Sequence, residues 1–110
     1  MNYSLFLNSN GKVYSCGNNN VGQLGIYTTK STSTYYENSY ENIPTQITSN
    51  IGHCNIVAIS AGNQHSLFLD LNGKVYSCGQ NNSYQLGRIT ASINTNIPAQ
   101  ITSIIGDCNI

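Results

Sequence analysis

The chain has 110 residues with four basic and four acidic side chains, so its formal net charge is zero. One small domain fits this length. Charged residues make up only 7% of the chain, which excludes the broadly basic surface that nucleic acids and anionic membranes attract. The apolar fraction of 39% excludes a disordered tail, and no apolar run approaches the ~20 residues of a membrane span. Residues 1–7 lack the basic flank and apolar length of a signal peptide, so we expect a soluble intracellular protein, cytoplasmic or nuclear.

Two β-prone runs open the chain, at residues 4–8 and 12–16, and Asn10-Gly11 lies between them. Asn-Gly between apolar runs is typical of a β-hairpin, because both turn residues tolerate a positive φ. Pro44 lies in a short apolar segment further along. Proline cannot donate a ladder hydrogen bond, so this segment is predicted to be an edge strand.

The second half of the chain repeats this order of elements. Its predicted elements are a strand at 57–61 that ends at Gly62, a hairpin of 66–70 and 74–78 joined through Asn72-Gly73, and an edge strand around Pro98. No segment shows a helical period with a cap.

The repetition extends to the residues themselves. Residues 4–25 recur as 66–87 with 17 of 22 positions identical, and residues 42–56 recur as 96–110 with 12 of 15 identical. Periods of this size indicate solenoids, propellers or arrays, and three or four strands per repeat match a propeller blade. We therefore predict an all-β fold of two antiparallel β-propeller blades with about four strands each, forming an incomplete propeller. The first repeat, 1–56, lacks its first strand and carries a long loop at 26–41; the second, 57–110, ends where a third would begin.

The cysteines follow the repeat, since Cys16 matches Cys78 and Cys54 matches Cys108. We interpret each as a small apolar side chain in one structural position. No pair has C-x-x-C spacing, although a metal site or a disulfide stays open as an alternative.

The second repeat reads A-G-N-Q-H-S-L-F-L at 61–69, G-K-V-Y-S-C-G at 73–79, then Asn81, and Q-L-G at 85–87. This string resembles the regulator of chromosome condensation repeat, whose pattern runs A-G-x-x-H-S-L-x-L and then G-x-V-Y-x-W-G-x-N-x-x-G-Q-L-G. The resemblance implies blades of a ring that closes with seven of them. It implies structural roles for the motif residues Gly11, Gly17, Gly25, Gly62, His65, Gly73, Gly79 and Gly87, with the His65 side chain bonded to the backbone of its blade.

Two departures from that pattern carry structural expectations. Cys16 and Cys78 stand at the position of the family's tryptophan, so the blades should be more lightly packed. Tyr84 stands where the first copy has Gly22. If this position needs a positive φ, either Tyr84 is strained or its loop is remodelled.

No residue pattern points to catalysis. His65 lies near Ser66 and Asp70 in sequence, but no Gly-x-Ser-x-Gly elbow is present. The acidic residues are scattered, and the glycine-rich segments lack the Gly-Lys-Ser/Thr of a phosphate loop. Lys12 and Lys74 follow the hairpin turns and are expected to be solvated, and His53 to lie in a surface loop. We expect no enzyme activity, no cofactor and no metal.

The favoured function is a non-catalytic protein-interaction module whose loops carry the contacts, at 17–24, 26–41, 79–86 and 88–95. Tyr35, Tyr36 and Tyr40 in the long loop form either part of that surface or an ordinary polar loop. Two alternatives stay open: part of a guanine nucleotide exchange factor for a Ran-type small GTPase, and the partner-binding segment of a ubiquitin-ligase-like protein.

The expected partners are other proteins, with a small GTPase among the candidates and neither a membrane nor direct nucleic-acid binding. Open blade edges also allow self-association. The chain is thus either a fragment, a decayed duplicate, or a protomer that pairs with other repeats.

Overall fold

The computed structural model describes residues 2–27 and 39–102, which form seven β-strands in two antiparallel sheets. The first sheet has three strands in the order β1-β2-β3: β1 Tyr3–Leu7, β2 Val13–Asn18 and β3 Tyr40–Gln46. The second has four in the order β4-β5-β6-β7: β4 Ile56–Ala61, β5 His65–Asp70, β6 Val75–Gln80 and β7 Asn94–Gln100. The predicted all-β fold of two antiparallel blades is confirmed. In the described residues the first blade contains no counterpart of β4.

The hairpins occur where Asn-Gly predicted them, but the turn type differs. The Asn8 N–H donates to the Lys12 carbonyl (3.0 Å), the Gly11 N–H donates to the Asn8 carbonyl (3.1 Å), and φ is positive at Gly11 but not at Asn10. This is a three-residue loop with a glycine bulge, not a two-residue turn with positive φ at both positions. The Asn8 side chain selects it, because its Oδ1 accepts from the N–H groups of both Asn10 and Lys12 at 3.0 Å.

Pro44 and Pro98 lie on β3 and β7, which are edge strands of their sheets. In β3 the pairing shifts around Cys16, between Ser15↔Thr45 and Gly17↔Glu41, so Pro44 falls in the irregular part of the ladder where no N–H is required. The pairing of β2 with β3 resumes beyond this bulge and extends to Tyr40. Tyr40 therefore belongs to β3, which corrects its predicted place in the loop. Residues 28–38 of that predicted loop, including Tyr35 and Tyr36, lie outside the described residues.

The hydrophobic core lies between the blades. Val13 and Ile47 of the first blade pack with Phe68 and Cys78 of the second, and all four side chains are at most 1% exposed. Ile51, Cys54 and Ile56 of the connection complete the cluster. Since neither sheet encloses a core alone, the two blades form one packing unit.

The connection between the blades is held by a side chain that the sequence interpretation placed in solvent. The Lys12 Nζ donates to the carbonyl oxygens of Gly52 (2.9 Å) and Cys54 (3.2 Å). The prediction that Lys12 is solvated is wrong, because the tight turns at 49–54 leave carbonyl groups within its reach.

Candidate interaction cleft between the loops of the two blades

The loop after β2 is organised by the Asn19 side chain. Its Oδ1 accepts from the Leu24 N–H (3.0 Å), and its Nδ2 donates to the Ile26 carbonyl (3.0 Å). Asn81 makes the same pair of bonds in the second blade, with the Leu86 N–H and the Arg88 carbonyl, both at 3.0 Å. Asparagine suits this position because its amide donates and accepts at once. Asn81 is one of the residues that carry the resemblance to the repeat pattern, but the sequence interpretation assigned no role to either asparagine, although their identity in both repeats was a usable signal.

Gln23 closes the first loop from inside. Its side chain is fully buried, its Oε1 accepts from the Val21 N–H (3.1 Å), and its Nε2 donates to Asn18 Oδ1 (3.1 Å). The buried Ser15 hydroxyl donates to the Leu24 carbonyl (2.7 Å) and ties the loop to β2. The loop is thus a bonded extension of the blade and presents its outer residues in a defined arrangement.

Most of the predicted motif glycines adopt a backbone conformation that other residues rarely take. The φ angle lies between +67° and +113° at Gly11, Gly17, Gly25, Gly73, Gly79 and Gly87. Gly62 is different, since its φ is not in this range and a Cβ there would lie 2.3 Å from the His65 ring, which would have to move.

Gly22 and Tyr84 show what this loop position requires. Tyr84 has φ +61° and its side chain is 85% exposed, so the loop is not remodelled and the tyrosine is held in the left-handed region. At Gly22 (φ +82°) a Cβ would lie 2.5 Å from the Thr95 carbonyl oxygen of the second blade. Glycine is therefore needed only in the first loop, where the neighbouring blade approaches closely.

A cleft of about 270 Å³ opens beside this approach, between the first loop and the start of β7. It has no charged residue in its described lining, which consists of Asn19, Asn20, Val21, Gly22, Tyr27, Ser39, Asn94, Thr95 and Asn96. Asn96 Nδ2 donates to the Ile26 carbonyl (3.4 Å) across the blades. The Oδ1 atoms of Asn20 and Asn94 are buried and have no hydrogen-bond partner in the described part of the chain. Two of the amides that line the cleft therefore have unused hydrogen-bonding capacity beneath its surface.

His65 lies at a contact between the blades. Its carbonyl oxygen accepts from the Gly62 N–H (2.8 Å) and from the Tyr3 hydroxyl. Tyr3 is the counterpart of His65 in the first repeat, and its hydroxyl also lies 3.0 Å from Ser66 Oγ. Burial raises the pKa of Tyr3. This position thus links one blade to the next.

A second polar cavity of about 330 Å³ lies at the opposite end of the second blade, lined by His53, Cys54, Asn55, Asp70, Leu71, Asn72 and Tyr76. Asp70 Oδ1 accepts from the N–H groups of Asn72 and Lys74 at 2.9 Å and so caps the β5–β6 turn. Burial, followed by the bonded Cys54 thiol, raises the pKa of Tyr76. No group of three metal-ligating side chains occurs within residues 2–27 and 39–102.

These blades define the chain as part of a β-propeller. Residues 10–69 and 72–109 match the family model of the regulator of chromosome condensation (RCC1) repeat, and residues 56–85 match a second model of that repeat. The chain belongs to the RCC1 repeat family, as its motifs predicted.

Two curated relatives illustrate the family's range. The inhibitor of Bruton tyrosine kinase from Mus musculus is 32% identical over 99 residues, covering 90% of this chain and 7% of that protein. The X-linked retinitis pigmentosa GTPase regulator from Canis lupus familiaris is 32% identical over 101 residues, covering 92% of this chain and 9% of that protein. The chain therefore spans less than a tenth of either relative.

Among solved structures, Prp20p from Saccharomyces cerevisiae superposes with a TM-score of 0.80 at 26% identity, over 94% of this chain and 24% of its own. That structure is described together with the binding of Prp20p to Gsp1p and histones. The seven strands thus correspond to about a quarter of the yeast chain.

No helix in the described residues has the length and apolarity to cross a membrane.

Proposed function

We propose that this chain is a non-catalytic protein-interaction module, and that the cleft between the loop after β2 and the start of β7 receives an uncharged polar segment of a partner protein. The observation that carries the proposal is the cleft lining of amides and hydroxyls without a charged group. Such a lining matches a peptide backbone, because both sides present donors and acceptors without formal charge.

Two features of the cleft favour a protein ligand. Tyr27 is 82% exposed at its rim, and tyrosine supplies large contact area at low entropic cost in binding surfaces. The unpartnered oxygens of Asn20 and Asn94 each cost about 1–3 kcal/mol while they lack a donor. If either amide turned its oxygen toward the cleft, a peptide N–H could donate to it, remove that cost and stabilise the complex.

The test is selection of displayed peptides against the purified chain, with a library rich in Ser, Asn, Gln and Gly. We expect peptides whose affinity falls at least about tenfold in Tyr27→Ala, the loss of one well-placed aromatic contact. Tyr84→Ala is the matched control, since Tyr84 is equally exposed but lies outside this cleft. Failure to select any peptide, or equal losses in the two variants, would contradict the proposal.

The second hypothesis is that the chain contributes to nucleotide exchange on a Ran-type GTPase. It is supported by the relative described as a GTPase regulator and by the Gsp1p binding of Prp20p. Release of labelled nucleotide from such a GTPase discriminates the two: acceleration by the chain favours exchange, and no acceleration leaves the interaction module as the better account.

A further inference from the structure

The junction between the blades is built from two different surfaces. The first blade contributes Leu5, Leu7 and Val13, which pack on the core cluster. The second blade contributes Phe68 and Cys78, both fully buried in that cluster. Because the blades are repeats, each also carries the other half of this junction on its outer side.

The outer side of the first blade, which we call the entry face, consists of Ser4, Phe6, Cys16 and Pro44. These residues are the repeat counterparts of Ser66, Phe68, Cys78 and Pro98, with the same residue type in each case. Their surroundings differ sharply. Phe6 is 46% exposed whereas Phe68 is 0% exposed. The entry face thus displays, uncovered, the surface that the second blade buries.

The outer side of the second blade, which we call the exit face, contains Leu67, Leu69, Val75 and Gln85. They are identical to Leu5, Leu7, Val13 and Gln23 of the first blade. Val13 is 1% exposed in the junction, while Val75 remains partly exposed. Within residues 2–27 and 39–102, the exit face is therefore the unoccupied equivalent of the surface that receives Phe68.

The polar bonds of the junction are also available between the outer faces. Inside the chain the Ser66 hydroxyl donates to the Gln23 carbonyl oxygen at 2.6 Å. Ser4 is exposed on the entry face, and Gln85 holds the matching place on the exit face. On the exit face, His65 stands at the repeat position of Tyr3, and its imidazole N–H can replace the tyrosine hydroxyl as the donor.

One residue of the exit face departs from the internal junction. Arg88 stands where the first blade has Ile26, which packs on the core cluster. Its guanidinium donates to Ser77 Oγ (3.0 Å), to the Ser77 carbonyl (2.8 Å) and to the Ile97 carbonyl (3.3 Å). The charged head is thus held within its own blade, and the aliphatic stem remains as the apolar part of the face.

We infer that the exit face of one chain binds the entry face of a second copy, head to tail, and so rebuilds the internal junction between molecules. The occupant is a second copy because the chain itself contains both complementary surfaces. Such a contact joins unlike surfaces, so it extends into a ring or an open series of copies.

The test uses sedimentation velocity on the full chain and two variants. Phe6→Glu places a charge on the entry face, and Leu67→Glu places one on the exit face. Each variant alone has lost one of the two surfaces that must meet, so we expect its self-association to weaken at least about 30-fold. The wild-type chain should form species larger than a dimer as its concentration rises.

Mixing the two variants gives the sharpest result. Phe6→Glu retains its exit face and Leu67→Glu retains its entry face, so the mixture should form a dimer of two 11.9 kDa chains and stop there. A misfolded variant would not form this dimer, so its appearance reports intact folds. Leu71→Glu is the control, because Leu71 is 66% exposed in the β5–β6 turn and belongs to neither face. A wild-type chain that stays monomeric, or a mixture that forms no dimer, would overturn the inference.

Discussion

At the scale of single residues, Gly79 has both a positive φ and a close backbone neighbour. Its φ is +113°, and a Cβ there would lie 2.6 Å from the Gln64 carbonyl oxygen. A branched side chain would therefore meet both backbone strain and a rigid neighbour.

We predict that Gly79→Val lowers the free energy of unfolding by about 3 kcal/mol or more and melts the second blade. Thermal unfolding followed by circular dichroism measures it. Ser60→Val is the control, because Ser60 is exposed on β4 of the same sheet. Melting of Gly79→Val at the wild-type temperature would show that the close approach at this position is not needed.

Cys78 links burial to pH dependence. Burial raises the pKa of its thiol from an ordinary value of 9.0 to about 12. Between these values the unfolded chain has lost a proton that the folded chain keeps, so stability falls as pH rises through this range. Burial also raises the pKa values of Tyr3 and Tyr76, which act in the same direction at higher pH.

We therefore expect urea unfolding to show decreasing stability from pH 9 upward, and a shallower decrease in Cys78→Ala. Both proteins contain the same tyrosines, so the difference between their slopes of unfolding free energy against pH reports the Cys78 thiol alone. Identical slopes in the two proteins would exclude Cys78 as a contributor.

At the scale of the elements, the two hairpin turns reach one geometry with different side chains. Asn8 in the first turn and Asp70 in the second each accept two backbone N–H groups through Oδ1. An amide and a carboxylate each have an oxygen that can accept these two bonds, so the charge of Asp70 is not needed for the turn.

Asp70→Asn should then change the free energy of unfolding by less than about 0.5 kcal/mol, because it keeps both turn bonds and loses only the long 3.4 Å bond that Oδ2 accepts from the Tyr76 hydroxyl. Asp70→Ala should lower it by about 1–2 kcal/mol, because two N–H groups lose their acceptor. Denaturant titration of both variants measures the difference. Equal destabilisation of the two would mean that the charge, not the turn, is what the fold uses.

At the scale of the whole molecule, stability depends on the junction between the blades. Phe68 is fully buried there, while Phe6 has the same neighbours in sequence and is 46% exposed. The pair separates the effect of position in the fold from the effect of residue type.

We expect Phe68→Ala to cost about 3–5 kcal/mol in the free energy of unfolding, since it empties a core position. Phe6→Ala should cost less than about 1 kcal/mol in dilute solution, where its face is open. Chemical unfolding at low protein concentration measures both. Similar losses would indicate that the blades are stabilised separately rather than through their junction.

Local sequence patterns were sufficient for the hairpins and the edge strands. Asn-Gly marks each turn because glycine alone adopts the positive φ at the bulge, and Pro44 and Pro98 lie where a ladder bond is already interrupted. The bulges were not predicted, because the shift of pairing opposite Cys16 is visible only when the strands are in register. The Lys12 contacts and the loop cleft were missed for a similar reason, since their partners are distant in sequence.

The sequence by itself determined the family, the two-fold repetition and the all-β architecture, because all three depend on residue order within one repeat. The tertiary structure decided which copy of each residue is buried. Phe6 and Phe68, or Pro44 and Pro98, lie in near-identical sequence but differ in what packs on them. The burial of a side chain depends on what packs on it across the junction, and two near-identical repeats have different neighbours once they lie side by side.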